Sequence, residues 1–281
     1  MKDILKHSHH YCIGFLHPGQ IGSYLAKIAS NNGHKVVWAS EGRSEQTKER
    51  AVKSKMIDLI TVSELAKISD VIISICPPHG ASFTAEKISK SNFSGIYLEA
   101  NAISPNSVKN LSQLLASKGI QTVDGAVFGP FKKEGRKPML LLSGEHNELI
   151  SKLFSSDYLI IKTIGTEVGK ASALKMCDSS LRKISLSLLF LTLSLAKKQG
   201  VLEDLNWLID SNKPEMPMNN SESILRSQKA WRFTGEMLEL INTFENSELT
   251  TSFALGAYDV FSKIPKGINP SLDEILKSFD L

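Results

Sequence analysis

Short apolar runs alternate with amphipathic stretches over the first 165 residues, and the alternation then stops. Tyr11–Leu16 is an apolar run that ends in a Gly/Pro turn, and the helical spacing Ile21, Leu25, Ile28, Ala29 follows it. Val36–Trp38 predicts the next strand, 44–56 a charged helix, 60–62 a short strand and 63–67 a capped helical turn. Val71–Cys76, closed by Pro77 and Pro78, and Ile96–Glu99 predict two more strands. A helix over 104–118 and strands at 120–123 and 139–143 complete the series. Runs apolar on both sides and separated by helices predict a parallel, doubly wound α/β sheet. From residue 166 the pattern reads as helix throughout, with segments near 202–211, 220–244, 247–262 and 271–279 and breaks at Pro214, Pro217, Pro265 and Pro270. Two domains are therefore expected, α/β over 1–165 and all-helical over 166–281.

The junction is the stretch Gly165–Lys183. Its glycines allow a sharp entry, with Thr166 or Ser172 as a candidate cap. At 100° per residue, Ser172, Lys175, Ser179 and Arg182 share one stripe with Asp178 beside it, while Leu174, Cys177, Leu181, Ile184 and Leu188 gather opposite. This spacing predicts an apolar back packed inward and a lysine-bearing front facing a cleft. A helix running on towards Gly200 is about 45 Å long, enough to bridge two domains.

Composition narrows the function classes. Of the 281 residues, 42% are hydrophobic and 22% charged, and the formal net charge of +4 is mild. Basic residues are scattered, with only short clusters such as Lys132-Lys133, which argues against a nucleic-acid partner. Cys12, Cys76 and Cys177 have no metal spacing and an odd count, so no metal or disulfide framework is expected and the setting reads as reducing and cytoplasmic. The first ten residues lack the apolar core of a signal peptide. The run Ile184–Ala196 falls short of the ~20 residues a bilayer needs, so it is expected to be a buried helix with no membrane partner.

One glycine pattern lies where it has chemical meaning. Ile13-Gly14-Phe15-Leu16-His17-Pro18-Gly19-Gln20-Ile21-Gly22 sits at a strand-to-helix junction, where backbone amides and a helix N-terminus can meet a pyrophosphate. Gly19 and Gly22 fit the second and third glycines of G-x-G-x-x-G, but His17 occupies the first place. His17, Pro18, Gly19, Gln20 and Ile21 are therefore cofactor-binding candidates; for His17 a turn-stabilising role is equally open. After the second strand come Ser40, Glu41, Arg43 and Ser44. An acidic residue there suits a ribose 2′-hydroxyl, an arginine with serines a 2′-phosphate; Arg43 tips the balance to NADP over NAD.

Taken together these motifs resemble the β-hydroxyacid dehydrogenase and 6-phosphogluconate dehydrogenase-like superfamily, in particular its short branch with a helical C-terminal domain. The resemblance runs through Gly14–Gly22, Trp38–Ser44, Ser74–His79, Glu99–Pro105, Val123–Pro130, Gly169–Met176 and Gly235–Met237. It implies an N-terminal Rossmann domain, a helical C-terminal domain that dimerises, and NAD(P)-dependent oxidation of a small hydroxy acid or the reverse reduction. It also implies that Lys175 is catalytic, that Asn101 approaches the nicotinamide end, and that Cys76, Pro77 and Pro78 pass under the dinucleotide. The family's substrate loop carries a serine and two glycines where this chain has Phe128, Gly129 and Pro130, and an asparagine where it has Ser179.

Lys175 is the expected general acid/base, with Arg182 helping to hold an anionic substrate and Glu236 lining the cleft from a partner subunit. Phe128, Gly129 and Ser179 complete the expected substrate set. Trp231 and Met237 are expected to be packing residues. An imine reductase-like enzyme and a non-catalytic NADP-binding sensor or scaffold are the alternatives.

Overall fold

The computed structural model describes residues 10–129, 136–211, 230–266 and 271–279. The described part divides into two compact units, one ending at Lys175 and the other beginning at Met176. This division lies beyond the expected boundary at residue 165, inside a continuous helix.

The first unit is built on one eight-stranded sheet in the order β3-β2-β1-β4-β5-β6-β7-β8. Its strands are β1 Cys12–Phe15, β2 Lys35–Trp38, β3 Ile57–Asp58, β4 Val71–Ser74, β5 Ile96–Glu99, β6 Gln121–Phe128, β7 Met139–Ser143 and β8 Ile160–Thr163. Strands β1 to β6 are parallel, joined by α1 Gln20–Asn31, α2 Glu45–Lys53, α3 Val62–Ile68, α4 Ala81–Ser89 and α5 Pro105–Ala116. The sequence predicts a parallel sheet; β7 instead runs antiparallel to β6, and β8 is parallel to β7. The β6–β7 link has no crossover helix among its described residues, and an antiparallel neighbour needs none. Helix α6, Asn147–Leu153, precedes β8.

Side-chain alternation explains why the strands read as unbroken apolar runs. Ile13, Phe15, Val71 and Ile73 pack into one core with Leu25, Leu140 and Phe154. Their neighbours Leu16, Val37 and Ile72 enter a second core with Leu65, Tyr97 and Leu115. Both faces of the sheet are thus covered, as a parallel sheet requires. Each fully buried aliphatic side chain contributes about 1.5–3 kcal/mol. Gly14 has a packing reason: a Cβ there would lie 2.6 Å from the Leu65 side chain on α3. Serine and threonine caps start three of the helices. Ser44 accepts from the Thr47 amide, Thr61 from that of Glu64, and Ser104 from that of Ser107.

One strand is misplaced by the sequence pattern. Residues 60–62 are expected to be extended, yet pairing occurs at Ile57–Asp58 and Ile60 turns left-handed at φ +62°. The Asp58 carboxylate accepts from the Ile60 amide, and the Ile60 carbonyl accepts from that of Glu41, so the turn is held from both sides.

The second unit is helical. Helix α7, Lys170–Ser179, continues through a π turn at Ser180–Ile184 into α8, Ser185–Lys198. Helices α9 Leu202–Ser211, α10 Phe233–Glu245, α11 Ser252–Lys263 and α12 Leu272–Lys277 follow. The expected segment 220–244 is observed as α10, with 220–229 outside the described residues, as are Pro130, Lys132, Lys133, Pro214, Pro217 and Pro270. Helix α8 packs on α9, α11 and α12 through its buried face of Leu186, Leu189, Phe190 and Leu193. Phe233 and Phe261 meet edge to face at 5.4 Å between ring centroids. The Lys170–Lys198 helix spans 29 residues, longer than its most apolar run suggests, and by length and composition alone it is capable of crossing a membrane.

The helix is also turned opposite to expectation. Ser172 and Ser179, on the polar stripe, are only 2% exposed, whereas Leu181 on the apolar stripe is 76% exposed and Leu188 60%. The serines are buried because each finds a carboxylate, as described next.

Candidate active site

Parallel strands place their following loops at one carboxyl edge of the sheet. The order 3-2-1-4-5-6 puts the reversal of connection between β1 and β4, where doubly wound folds bind their ligands. Four of the sequence-assigned groups emerge there: the loop with His17, Pro18 and Gly19 after β1, Ser40–Arg43 after β2, Cys76–Pro78 after β4, and Asn101 after β5.

The β1–α1 loop turns tightly, with the Gly19 amide donating to the His17 carbonyl at 2.8 Å. A Cβ on Gly22 would lie 2.8 Å from that same carbonyl, so the first turn of α1 fits against the loop only as glycine. A Cβ on Gly19 would meet no protein atom within 4 Å. The N-terminus of α1 has neither a side-chain cap nor an acidic residue in its first turn. It therefore offers free amides and positive dipole to an anion. Gln20 is exposed and Ile21 half-buried beside these amides, while Pro18 is buried.

Two nitrogens in this region are buried without any hydrogen bond, His17 Nδ1 and Arg43 Nε. Burial, and then the positive charge of Arg43, push the His17 imidazole down to about 4. Burial also lowers the Arg43 guanidinium. Glu41 is exposed, Ser40 is half-buried, and the Ser44 hydroxyl is committed to capping α2. Cys76 is pushed up to about 11, first by burial and then by Glu99, so its thiol is protonated at neutral pH. Asn101 is 4% exposed. Its amide Nδ2 donates to Ser74 Oγ at 2.9 Å and its Oδ1 accepts from the Cys76 amide. The carboxamide thus ties the β4 loop to the end of β5. These groups fit a dinucleotide: uncapped amides, a glycine open to close approach, and an unsatisfied guanidinium nitrogen with an unsatisfied imidazole nitrogen at one edge.

The lysine sits farther along that edge. Strand β6 carries Asp124 near its middle and Val127 and Phe128 at its carboxyl end. Asp124 is fully buried and accepts from the Gly169 and Ser172 amides at 3.0 Å each, from Ser172 Oγ at 2.7 Å and from Ser143 Oγ at 3.1 Å. These bonds pin the first turn of α7 to the sheet. One turn later Lys175 Nζ donates to the Val127 carbonyl at 2.9 Å and lies 4.5 Å from the centre of the Phe128 ring. A single strand thus sets both the start of the helix and the height of its amine. Burial raises the Asp124 carboxyl above its ordinary value, outweighing the bonds that favour the charge. Gly129 is exposed next to Phe128.

In the second unit Ser179 Oγ donates to Glu236 Oε2 at 3.3 Å, and Lys183 forms an ion pair with the same carboxylate. Lys183 also lies 4.8 Å from the centre of the Phe233 ring. Glu236, expected to face a cleft from a partner subunit, is thus engaged within its own chain. Arg182 projects outward, 60% exposed, and pairs with Asp178 at 2.6 Å. Trp231 is half-buried beside Arg232 and Met237 is fully buried. Asp124 is the site residue that the sequence pattern did not bring forward; an aspartate inside the apolar run 121–128 is the signal that marks it.

Comparison with known proteins bears on the fold and the class of the chain. Residues 12–98 match the family described as NADP oxidoreductase, coenzyme F420-dependent. An uncharacterized 28.5 kDa protein encoded in the 7S RNA 5′ region of Methanothermus fervidus is 30% identical over 201 residues, covering 72% of this chain and 77% of that one. A conserved protein of unknown function, whose structure is described as similar to 3-hydroxyacid dehydrogenases, superposes with a TM-score of 0.64 at 27% identity over 90% of this chain and 97% of its own. The 3-hydroxyisobutyrate dehydrogenase of Mycobacterium tuberculosis, solved with L-serine, shares the fold with a TM-score of 0.74 at 14% identity, over 97% of this chain and all of that one. The chain belongs to one family with the Methanothermus fervidus protein, carries an N-terminal domain of the NADP oxidoreductase type, and has the fold of the 3-hydroxyacid dehydrogenases.

Proposed function

We propose that this protein is an NADP-preferring oxidoreductase that interconverts a small hydroxy acid and its keto acid, with Lys175 as the general acid/base. The observation that carries this reading is the placement of the Lys175 amine. The Val127 carbonyl and the Phe128 ring hold it at the carboxyl edge of the strands that bear the glycine loop. Hydride exchange with the substrate carbon is the chemistry the dinucleotide supplies when bound. In the reductive direction the Lys175 ammonium donates a proton to the carbonyl oxygen; in the oxidative direction the amine takes the hydroxyl proton. His17 to Ile21 would hold the pyrophosphate, Ser40, Glu41 and Arg43 the adenosine ribose, and Cys76, Pro77 and Pro78 would form the floor beneath, braced by Asn101. Phe128 and Gly129 border the substrate.

The working form is a homodimer. Leu181, Leu188 and Leu195 recur every seven residues, with Leu191 beside them, and stand between 46% and 76% exposed. Such a seam is costly in water and suits a second copy of the same helix. The free thiols Cys12, Cys76 and Cys177 suit a reducing, cytoplasmic setting.

The test is fluorescence titration with NADPH and NADH, followed by turnover assays with hydroxy acids at alkaline pH and with keto acids and cyclic imines at neutral pH. We expect NADPH to bind about tenfold or more tighter, as one charge-assisted contact allows, and hydroxy or keto acids to turn over. Turnover of imines alone would favour an imine reductase; binding without any turnover would favour a sensor.

A further inference from the structure

The two unsatisfied nitrogens at the carboxyl edge belong to different loops, His17 to the one after β1 and Arg43 to the one after β2. They lie close enough that the guanidinium charge acts on the imidazole. A buried donor left without a partner costs about 1–3 kcal/mol. Here two such costs stand side by side, and the groups repel one another once the imidazole is charged. An anion between them would relieve both at once. It would accept from Arg43, and its negative charge would offset the burial and the repulsion that keep His17 neutral.

We propose that His17 and Arg43 form a two-sided clamp on a phosphoryl group of the dinucleotide, and that His17 takes up a proton as that group enters. The inference rests on the cofactor reading above and adds to it a proton-linked step. Free His17 is neutral at pH 7, since burial and Arg43 hold it at about 4. Arg43 comes from the β2 loop, Cys76 acts on Arg43, and Glu99 acts in turn on Cys76. Burial holds the thiol protonated at neutral pH and the guanidinium stays charged, so neither competes with the imidazole for the proton that enters with the anion. A group protonated in the complex and neutral in the free protein makes binding tighten as pH falls.

The experiment is isothermal titration calorimetry of the full chain with NADP+ and with NAD+, at pH 6 and pH 8. Each titration is run in two buffers of different ionisation enthalpy, which yields the protons taken up per ligand. Titration of the ligand's own phosphate is common to the wild type and His17→Gln, so it cancels in their difference. We expect the wild type to take up between about half and one proton more than His17→Gln at pH 6. We also expect the wild-type gain in affinity from pH 8 to pH 6 to exceed that of the variant by about fivefold or more. A difference confined to NADP+ identifies the 2′-phosphate as the clamped group; one shared by NAD+ identifies the pyrophosphate. Should the variant fail to fold, the wild-type imidazole is followed by NMR, where the His17 resonance should titrate at higher pH in the NADP+ complex than in the free protein. Equal proton uptake in wild type and variant, or an unmoved His17 titration, overturns the clamp while leaving dinucleotide binding intact. Failure to bind either dinucleotide overturns the cofactor reading itself.

Discussion

Replacing Asp124 with alanine should loosen the carboxylate anchor that fixes the start of the lysine's helix. The carboxylate is fully buried and accepts four hydrogen bonds, two of them from backbone amides at the start of α7. The Ser172 and Ser143 hydroxyls can rotate to other acceptors, but the Gly169 and Ser172 amides cannot. Two buried amides without acceptors cost about 1–3 kcal/mol each, so Asp124→Ala should destabilise the first unit by about 2–6 kcal/mol. Asp124→Asn keeps one oxygen for the three donors on Oδ2 and places an NH2 where it can donate to Ser172 Oγ. Its expected cost is below about 1.5 kcal/mol. The comparison also has a pH signature. Because burial holds the Asp124 carboxyl above its ordinary value, its contribution to stability is fully present below the unfolded value near ~4 and is lost as pH rises through the folded value. The Asp124→Asn variant escapes that loss, so its deficit against wild type should shrink from pH 4 to pH 7. Urea denaturation read by the fluorescence of Trp38, buried in this unit, measures both effects. An alanine variant within about 0.5 kcal/mol of wild type, or a deficit that widens with pH, would refute the anchor.

Three further outcomes follow from the same geometry. Lys175→Ala should lower kcat by about 10²–10⁴-fold while leaving the dinucleotide Kd near its wild-type value, and unchanged turnover would remove the lysine from the chemistry. Gly19→Ala places a methyl in open space at an ordinary φ of −71°, so thermal stability should hold while the affinity for NADP+ drops. Gly22→Ala drives a Cβ against the His17 carbonyl and should lower both; equal, wild-type affinity in the two variants would show that no ligand approaches this loop. Leu181→Glu combined with Leu188→Glu should convert a two-chain species to a one-chain species in light scattering, and an unchanged mass would exclude this seam as the dimer contact.

Much of the first unit was legible because most of its strands are apolar on both faces and three of its helices carry serine or threonine caps. Strand β8 escaped notice because it lies at the sheet edge and is half-exposed along its length, leaving no continuous apolar run. The short strand at 57–58 was displaced in the pattern by Ile60, whose residue type predicts extension but whose backbone turns left-handed. The orientation of the α7–α8 helix was misjudged for two reasons. Its buried serines find their carboxylates 48 and 57 residues away, at Asp124 and Glu236, and nothing local announces those partners. The π turn at Ser180–Ile184 then breaks the 100° phase on which any helical wheel depends. The glycine loop was readable as a phosphate site from its spacing and its place between strand and helix. The meeting of His17 with Arg43 was not, since it depends on how two loops from neighbouring strands fold over one edge.

The most direct measurement is a crystal structure of the protein with NADP+ bound. If the lysine serves the hydride-transfer reaction, its Nζ should lie roughly 5–6 Å from nicotinamide C4, leaving one small carbon and its oxygen between them at contacts of about 3 Å. A nicotinamide ring more than about 10 Å from that amine, or a dinucleotide held away from the β1–α1 loop, would contradict the account, since no single bridging substrate could then touch both.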